Sequence, residues 1–326
     1  MISSMIRPSG NCGVKIMSKT EIRDAYGKAL VRLALSNPDV VVVDADVSKP
    51  IRSAEFEKVA PERHFNFGIA EGNMMGVAAG LALSGKIPFA NSFAIFAAGR
   101  GYEQIRNSIA SPHLNVKIVG SHAGFSPRID GASHQCLEDI ALMRVLPGMT
   151  VIQPCDERET IQAIQAAAEF KGPVYIRLSR SRVEDVYDDD YRFELGKAVV
   201  LHEGESAVVM FASGTMVQRS LQAVELLKRK GIDPTVINVH TIKPLDQETV
   251  LRFAEKASLI VTLEEHSVIG GLGGAIAELL AAHCPRKQLF IGVHDQFGET
   301  GTVEQLFEKH GLTAEKIAES IEKATL

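Results

Sequence analysis

Helical patterns and short apolar runs alternate along this chain, and the alternation restricts the possible fold more than any other feature of the sequence. The first helical pattern covers residues 20–37, with Thr20 as its predicted N-cap, and the apolar run DVVVVDAD follows over residues 39–46. Comparable runs recur between further helical patterns. Strands that alternate with helices indicate a parallel sheet covered on both faces, so we expect an α/β fold.

The alternation is interrupted once, over residues 179–204, and then restarts. A chain of 326 residues is long enough for two domains. We therefore predict two three-layer α/β domains with parallel or mixed sheets, over residues 19–190 and 191–326, preceded by a disordered lead-in over residues 1–18. One large α/β domain is the alternative.

Composition and charge argue against several classes of function. The formal net charge of −5 and the lack of a long basic block give no sign of a nucleic-acid surface. No apolar run of about 18 residues predicts a transmembrane helix, and the first residues lack a signal-peptide core. The cysteines have neither CxxC nor metal-ligand spacing, which favours reduced thiols. We expect a cytoplasmic protein that binds neither nucleic acid nor membrane.

Polar side chains cluster where several predicted strands end, and ligands of open α/β sheets bind at the carboxyl ends of strands. The loop over residues 120–135 holds His122, Asp130 and His134 directly after a strand. A solvated loop that happens to contain histidines is the alternative interpretation. A metal site is disfavoured because no HExxH pair or matching cysteine is present, so the sequence predicts no metal ligand in this chain.

Glu71 lies in the stretch FNFGIAEGNMMGVAAGLALSG, residues 65–85, among aromatic and apolar side chains. A solvated acid at a helix N-terminus, favoured by the helix dipole, is one interpretation. The other is a buried carboxyl that hydrogen-bonds a heteroaromatic nitrogen. The pattern of residues alone leaves both open.

Four stretches together resemble the C-terminal half of transketolases, over roughly residues 20–320. These stretches are residues 65–106, 121–159, 172–180 and 264–278. The chain is similar to the C-terminal subunit of a split transketolase, in the thiamine diphosphate-dependent family. The resemblance implies a pyrimidine-binding domain over residues 19–190 and a transketolase C-terminal domain over residues 191–326.

The resemblance also implies where the cofactor, thiamine diphosphate, would bind. Glu71 matches the glutamate that hydrogen-bonds the aminopyrimidine ring and activates the cofactor, so its partner is expected to be the cofactor rather than a residue of this chain. Phe93 and Phe96 match the aromatic residues that hold this ring. Asp46 matches an acid near the thiazolium ring.

Further residues match the substrate channel of the family. His122, Asp130 and His134 match the loop that contacts sugar hydroxyls, where the two histidines would aid proton transfer because an ordinary imidazole titrates near neutrality. Arg180 and Arg23 match arginines that bind the phosphate of the acceptor sugar, since a guanidinium fits phosphate oxygens. Arg177 is a lower-ranked alternative to Arg180.

The chain departs from the family pattern at two places. Arg128 and Ile129 stand where an acid usually precedes the Asp-Gly pair, and we expect Arg128 to add a cation for a substrate phosphate or acid. Gly99 replaces a third aromatic residue of the pyrimidine pocket, so other residues such as Tyr102 are expected to complete its wall.

The family motif that binds diphosphate and magnesium, GDG followed by an Asn, does not occur in this sequence. A separate N-terminal subunit is therefore expected to hold Mg²⁺ and the diphosphate, most simply in an α2β2 assembly. The activity implied is transfer of a two-carbon ketol unit between phosphorylated sugars. The alternatives are a 1-deoxyxylulose-5-phosphate-synthase-like or 2-oxo acid dehydrogenase β-type subunit, or a non-catalytic paralogue, although retention of the matched site residues argues against the last.

Overall fold

The computed structural model describes residues 19–326, and the predicted disordered lead-in over residues 1–18 lies outside them. The strands are β1 Lys19–Glu21, β2 Val40–Asp44, β3 His64–Asn66, β4 Ile87–Phe93, β5 Lys117–Ser121, β6 Thr150–Ile152, β7 Val174–Arg177, β8 Arg182–Glu184, β9 Val199–His202, β10 Val208–Ala212, β11 Thr235–Asn238, β12 Thr241–Lys243, β13 Leu259–Ser267 and β14 Gln288–Val293. The α-helices are α1 Ile22–Ser36, α2 Ser48–Ile51, α3 Ala54–Glu57, α4 Glu71–Leu83, α5 Ala94–Arg100, α6 Tyr102–Gln104, α7 Asp139–Arg144, α8 Glu157–Glu169, α9 Met216–Lys228, α10 Gln247–Ala254, α11 Leu272–His283, α12 Val303–Lys309 and α13 Ala314–Thr325. Short 3₁₀ helices span Pro61–Arg63 and Arg128–Asp130, and a π-helix spans Ile105–Ala110.

The first sheet has seven strands in the order β12-β6-β7-β5-β4-β2-β3, and all of its pairs are parallel except β12 with β6. Its central strands β2 and β5 are buried on both faces, which explains the consecutive apolar residues Val40–Val43 and Ile118–Val119 in place of an apolar–polar alternation. Val40 and Val42 pack with α1 and α8 on one face. Val43 packs with α4 on the other. Successive side chains of a strand point to opposite faces, so β2 joins the two helical layers through the sheet.

The second sheet has five strands in the order β14-β13-β10-β11-β9, with β9 antiparallel to β11. Phe211 of β10 packs with α11 on one face. Met210 packs with α12 and α13 on the other. The two sheets therefore form two three-layer α/β units, and the predicted fold class is confirmed.

The division near residue 190 falls between β8 and β9, and we retain it as a proposal. One strand of the second half, β12, pairs antiparallel with β6 at the edge of the first sheet. The alternation of elements did not predict that a strand of the second half would join the first sheet.

The predicted N-cap at Thr20 is wrong, because Thr20 belongs to β1 and α1 begins after Glu21.

A buried polar network joins the two units behind the loop over residues 120–135. Arg177, at the end of β7, donates to the Asp139 carboxylate at 2.8 and 3.0 Å and to the backbone oxygen of Glu265 at 3.0 Å. The Glu265 carboxylate accepts from the backbone N–H of Phe125 at 2.7 Å. Gly124 has a φ of +64°, and a Cβ there would lie 2.4 Å from that carboxylate, so only glycine allows the loop to approach this closely.

Among residues 19–326, no helix is both long and apolar enough to cross a membrane.

Candidate functional site

Four of the site residues predicted from the sequence lie at one edge of the seven-stranded sheet. Asp46 follows β2, Phe93 ends β4, His122 follows β5 and Arg180 follows β7. These four strands are neighbours and run parallel, so their carboxyl ends share an edge. Ligands of open α/β sheets bind at such an edge.

Four of the predicted residues form a cluster of rings. The Phe93 ring stacks on the His122 imidazole with 4.2 Å between centroids, and the Phe96 ring lies 6.1 Å from that of Phe93. The His134 ring forms T-shaped contacts with both phenyl rings. Its centroid lies 5.3 Å from that of Phe96 and 6.4 Å from that of Phe93. The structure thus brings together the residues expected to hold a pyrimidine ring and the histidines expected to contact a sugar.

Glu71 is the first residue of α4 and is 4% exposed. Its carboxylate accepts from Nη1 of Arg100 at 3.2 Å (Oε1) and 3.4 Å (Oε2). The Arg100 guanidinium carbon also lies 4.1 Å from the centre of the Phe96 ring. The expectation that no residue of this chain pairs with Glu71 is therefore wrong.

The sequence reasoning missed Arg100, although one signal for it existed. Arg100 follows Phe96 by four residues on α5, and residues four apart on a helix lie on the same face. That spacing could have placed a cation over Phe96. The contact between Arg100 and Glu71 depends on how α4 packs against α5. The spacing of residues within α5 cannot predict that packing.

His122 is buried and has a φ of +57° in the first turn after β5. Burial, and then the positive charges of Arg180 and Arg23, lower the pKa of His122 to about 3. Its Nδ1 lies 3.0 Å from the Ser121 hydroxyl. The imidazole is therefore neutral at physiological pH, and the expectation of a histidine that titrates near neutrality does not hold for His122.

The two arginines expected to bind phosphate differ in their environment. Arg23 donates to the Glu21 carboxylate at 2.7 Å and to the Pro50 carbonyl at 3.1 Å, so it is held in place. Arg180 pairs with no carboxylate in the part of the chain that the structure describes. Arg177, the alternative, is buried against Asp139 and cannot reach a ligand at this edge.

Asp46 and Asp130 are exposed, and within residues 19–326 neither carboxylate contacts the ring cluster. Asp46 has a φ of +59°, and its N–H donates to the Asn66 side chain at 3.0 Å. Positive φ at a non-glycine residue is strained and concentrates at functional sites. Asp46 and His122 share this feature directly after β2 and β5, the two strands that flank β4 in the sheet.

The structure also shows the surroundings of Arg128, Ile129 and Gly99, the residues at which the chain departs from the family pattern. Arg128 lines a cleft of about 290 Å³ that Arg182 and Arg219 also line, and Ile129 is exposed. A Cβ at Gly99 would meet no atom within 4 Å. Tyr102 packs against the apolar core, and no ring contact among the described residues joins it to Phe93 or Phe96.

The residues at this edge fit the cofactor that the sequence suggested. A buried carboxylate that shares an arginine with one of two neighbouring aromatic rings can hydrogen-bond a nitrogen of a flat heteroaromatic ring, while the aromatic rings pack against the faces of that ring. No group of three or more His, Cys, Asp or Glu side chains among residues 19–326 is arranged to hold a metal ion.

Comparisons with known proteins match both halves of the chain. Residues 18–185 match the transketolase pyrimidine-binding domain, and residues 196–317 match the transketolase C-terminal domain. The chain is 46% identical to a transketolase C-terminal section assigned in Methanocaldococcus jannaschii, covering 92% of this chain and 95% of that protein. It is 43% identical to the 6-deoxy-6-sulfo-D-fructose transketolase subunit of Clostridium sp. strain MSTE9, covering 93% and 94%. A solved split-gene transketolase, described as an inactive β4 tetramer, is 51% identical with a TM-score of 0.87 and covers 93% of this chain and 98% of its own.

Proposed function

The chain belongs to the transketolase family, and on that premise we propose that it is the pyrimidine-binding subunit of a two-chain transketolase. The complex would transfer a two-carbon ketol unit from a ketose phosphate to an aldose phosphate. The observation that carries this proposal is the buried carboxylate of Glu71, which shares Arg100 with the Phe96 ring, while the Phe96 ring lies beside that of Phe93 at the end of β4.

Thiamine diphosphate, when bound, supplies the nucleophilic carbon that takes up the two-carbon unit. Glu71 would hold a proton at a nitrogen of the aminopyrimidine ring, and Phe93 and Phe96 would orient that ring and exclude water from it. Asp46 would lie near the thiazolium ring. Glu71 begins α4, Phe93 ends β4, Phe96 lies on α5 and Asp46 follows β2.

The remaining site residues would bind the sugar phosphates. Arg180 and Arg23 would supply positive charge to the phosphate, and Asp130 would accept from a sugar hydroxyl. A neutral His122 would donate one hydrogen bond and accept another, so it would orient the sugar rather than supply charge. His134, whose Nδ1 lies 2.9 Å from the Ser133 hydroxyl, would use its other ring nitrogen to move a proton.

A separate N-terminal chain would hold Mg²⁺ and the diphosphate in an α2β2 assembly. The sequence contains no GDG motif to hold them. The solved relative described as an inactive β4 tetramer also supports a need for a partner.

The test is to mix this chain with a purified N-terminal transketolase chain, thiamine diphosphate and Mg²⁺. We expect turnover of a ketose phosphate with an aldose phosphate by the mixture and by neither chain alone. Turnover only with pyruvate and an aldose phosphate would favour synthase chemistry. Turnover only with a 2-oxo acid and an electron acceptor would favour a dehydrogenase subunit. A stable complex that binds no cofactor would contradict all the enzymatic functions.

A further inference from the structure

The side chain of Arg100 contacts both of the groups that carry the proposed function. Its Nη1 lies 3.2 and 3.4 Å from the two oxygens of Glu71. Its guanidinium carbon lies 4.1 Å from the centre of the Phe96 ring, within cation–π distance. We call this pair of contacts the Arg100 latch.

The latch and an aminopyrimidine ring compete for the same atoms. A ring nitrogen that hydrogen-bonds Glu71 needs a carboxylate oxygen, and both oxygens face Arg100. The guanidinium also covers one face of Phe96, so a ring that packs on that face displaces it. We propose that Arg100 is a latch on the cofactor site, which must leave Glu71 and Phe96 before the pyrimidine ring of the cofactor can bind. This inference rests on the proposed function.

The surroundings of Arg100 allow this movement. Arg100 is the last residue of α5, and its side chain is 51% exposed. Its neighbour Gly99 has open space where a Cβ would lie. Among residues 19–326, the guanidinium has no hydrogen bond or ion pair except with Glu71. A half-exposed ion pair of this kind is weak, so a ligand that offers better partners can displace it.

The latch also explains how the buried Glu71 carboxylate is accommodated by this chain. A buried charge without a partner destabilises a fold strongly. Arg100 supplies that partner from a half-exposed side chain, so the carboxylate can exchange it for a ligand. A rigid buried partner such as Arg177 beside Asp139 could not be exchanged in this way.

The experiment compares the affinity of thiamine diphosphate for complexes that carry Arg100→Ala, Arg100→Lys or no substitution. The complexes are assembled with the N-terminal chain and Mg²⁺, and the dissociation constant is measured by titration calorimetry without substrate. We expect about tenfold tighter binding to the Arg100→Ala complex, since one exposed ion pair and one cation–π contact no longer compete. Arg100→Lys, which keeps the charge but not the planar group, should lie in between.

Arg106→Ala is the matched control. Arg106 is exposed on the π-helix that follows α6, and it donates to Asn107 rather than to Glu71. Removing either positive charge should weaken the attraction of an anionic cofactor slightly. Tighter binding by the Arg100 variant alone would therefore be specific to the latch.

Raising the salt concentration should reduce the difference in cofactor affinity between the Arg100→Ala and unsubstituted complexes, because salt screens a half-exposed ion pair.

The outcomes separate the latch from the proposed function. If the unsubstituted complex binds thiamine diphosphate and Arg100→Ala binds it equally or more weakly, the latch is refuted and the proposed function stands. If the unsubstituted complex binds none, both fail. Should the alanine variant not assemble, an unchanged affinity of the Arg100→Lys complex would refute the latch.

Discussion

Glu71 shows at the scale of a single residue how the candidate site joins stability to function. The carboxylate is buried at the start of α4, and among residues 19–326 its one ion-pair partner is a half-exposed arginine. A structural acid would be expected to have a buried, permanent partner, as Asp139 has in Arg177. The exchangeable partner of Glu71 suits a group that must meet a ligand.

The first prediction concerns the proton that Glu71 would hold. Glu71→Gln keeps the shape of the side chain and its capacity for hydrogen bonds but cannot exchange a proton. In the assembled complex we expect kcat to fall by at least about a hundredfold, which is the usual range for loss of an acid–base group. Steady-state kinetics measure this. Glu62→Gln, an exposed acid beside Arg63, is the control, and near wild-type turnover of the Glu71 variant would contradict the assignment.

The second prediction concerns the protonation of His122. The unfolded chain protonates this imidazole near pH 6.5 and the native chain only near pH 3, so the unfolded state binds more protons between these values. The contribution of His122 to stability is therefore present above pH 6.5 and is lost as the pH falls below it, by roughly 1.4 kcal/mol for each pH unit.

Urea unfolding of the wild type and His122→Gln at pH 7.5 and pH 5 measures this effect. We expect the wild type to lose more stability than the variant on going to pH 5. The pH profile of kcat/KM between pH 6 and 8 should keep its shape in the variant, although its height falls. A titration in that range that disappears with His122 would show that the imidazole is not neutral in the free complex.

At the scale of secondary structure elements, the loop that carries His122 and His134 is positioned by buried charges rather than by apolar packing alone. Arg177 of β7 binds Asp139 at the start of α7, and Tyr175 donates to the same carboxylate at 2.7 Å. Burial alone would raise the pKa of Asp139, but the charge of Arg177 holds it below its usual value. The network also reaches β13 of the second sheet through the Glu265 backbone.

The third prediction tests this network. Asp139→Ala leaves the buried guanidinium of Arg177 without its counter-charge, and we expect a loss of about 3–5 kcal/mol in the free energy of unfolding. Denaturant unfolding measures the loss. Adding Arg177→Met should recover part of it because no buried charge then remains. Asp189→Ala, an exposed acid paired with Arg158, should change stability by less than about 0.5 kcal/mol. An equally small effect of Asp139→Ala would refute the structural role.

At the scale of the whole molecule, the surface around α4 is unusually apolar and open. Ile69 and Leu83, before and at the end of α4, are each 74% exposed. Gly76 and Gly80 lie between them with no atom within 4 Å of a Cβ position. Exposed apolar surface of this kind marks protein interfaces, and small residues allow another helix to approach closely.

The fourth prediction follows for assembly. Leu83→Glu should lower the mean mass of the oligomer formed by this chain or its complex, because it places a charge in an apolar contact. Size-exclusion chromatography with light scattering measures the mass. Leu35→Glu, at a residue 77% exposed on α1, is the control and should leave the mass unchanged. An unchanged mass for Leu83→Glu would place the interface elsewhere.

Much of the fold can be predicted from local patterns in the sequence. Buried apolar strands and amphipathic helices alternate, so α/β layers form, and polar residues that follow strands must collect at the carboxyl edge. The loop that holds His122 and His134 is predicted in this way, and the family resemblance adds the proposed roles of Glu71, Phe93 and Phe96. Side-chain type and spacing are properties of the chain itself, which is why these residues could be predicted.

Only the tertiary structure decided what those residues contact. Arg100 reaches Glu71 because α4 and α5 pack side by side. The pKa of His122 is lowered first by burial and then by the charges of Arg180 and Arg23, which come from distant parts of the chain. The addition of β12 to the first sheet likewise joins two segments that no local pattern relates. The partner of a side chain, its burial and the charges near it all depend on distances between residues that are far apart in sequence. Those distances are set only when the chain has folded, so local patterns do not reveal them.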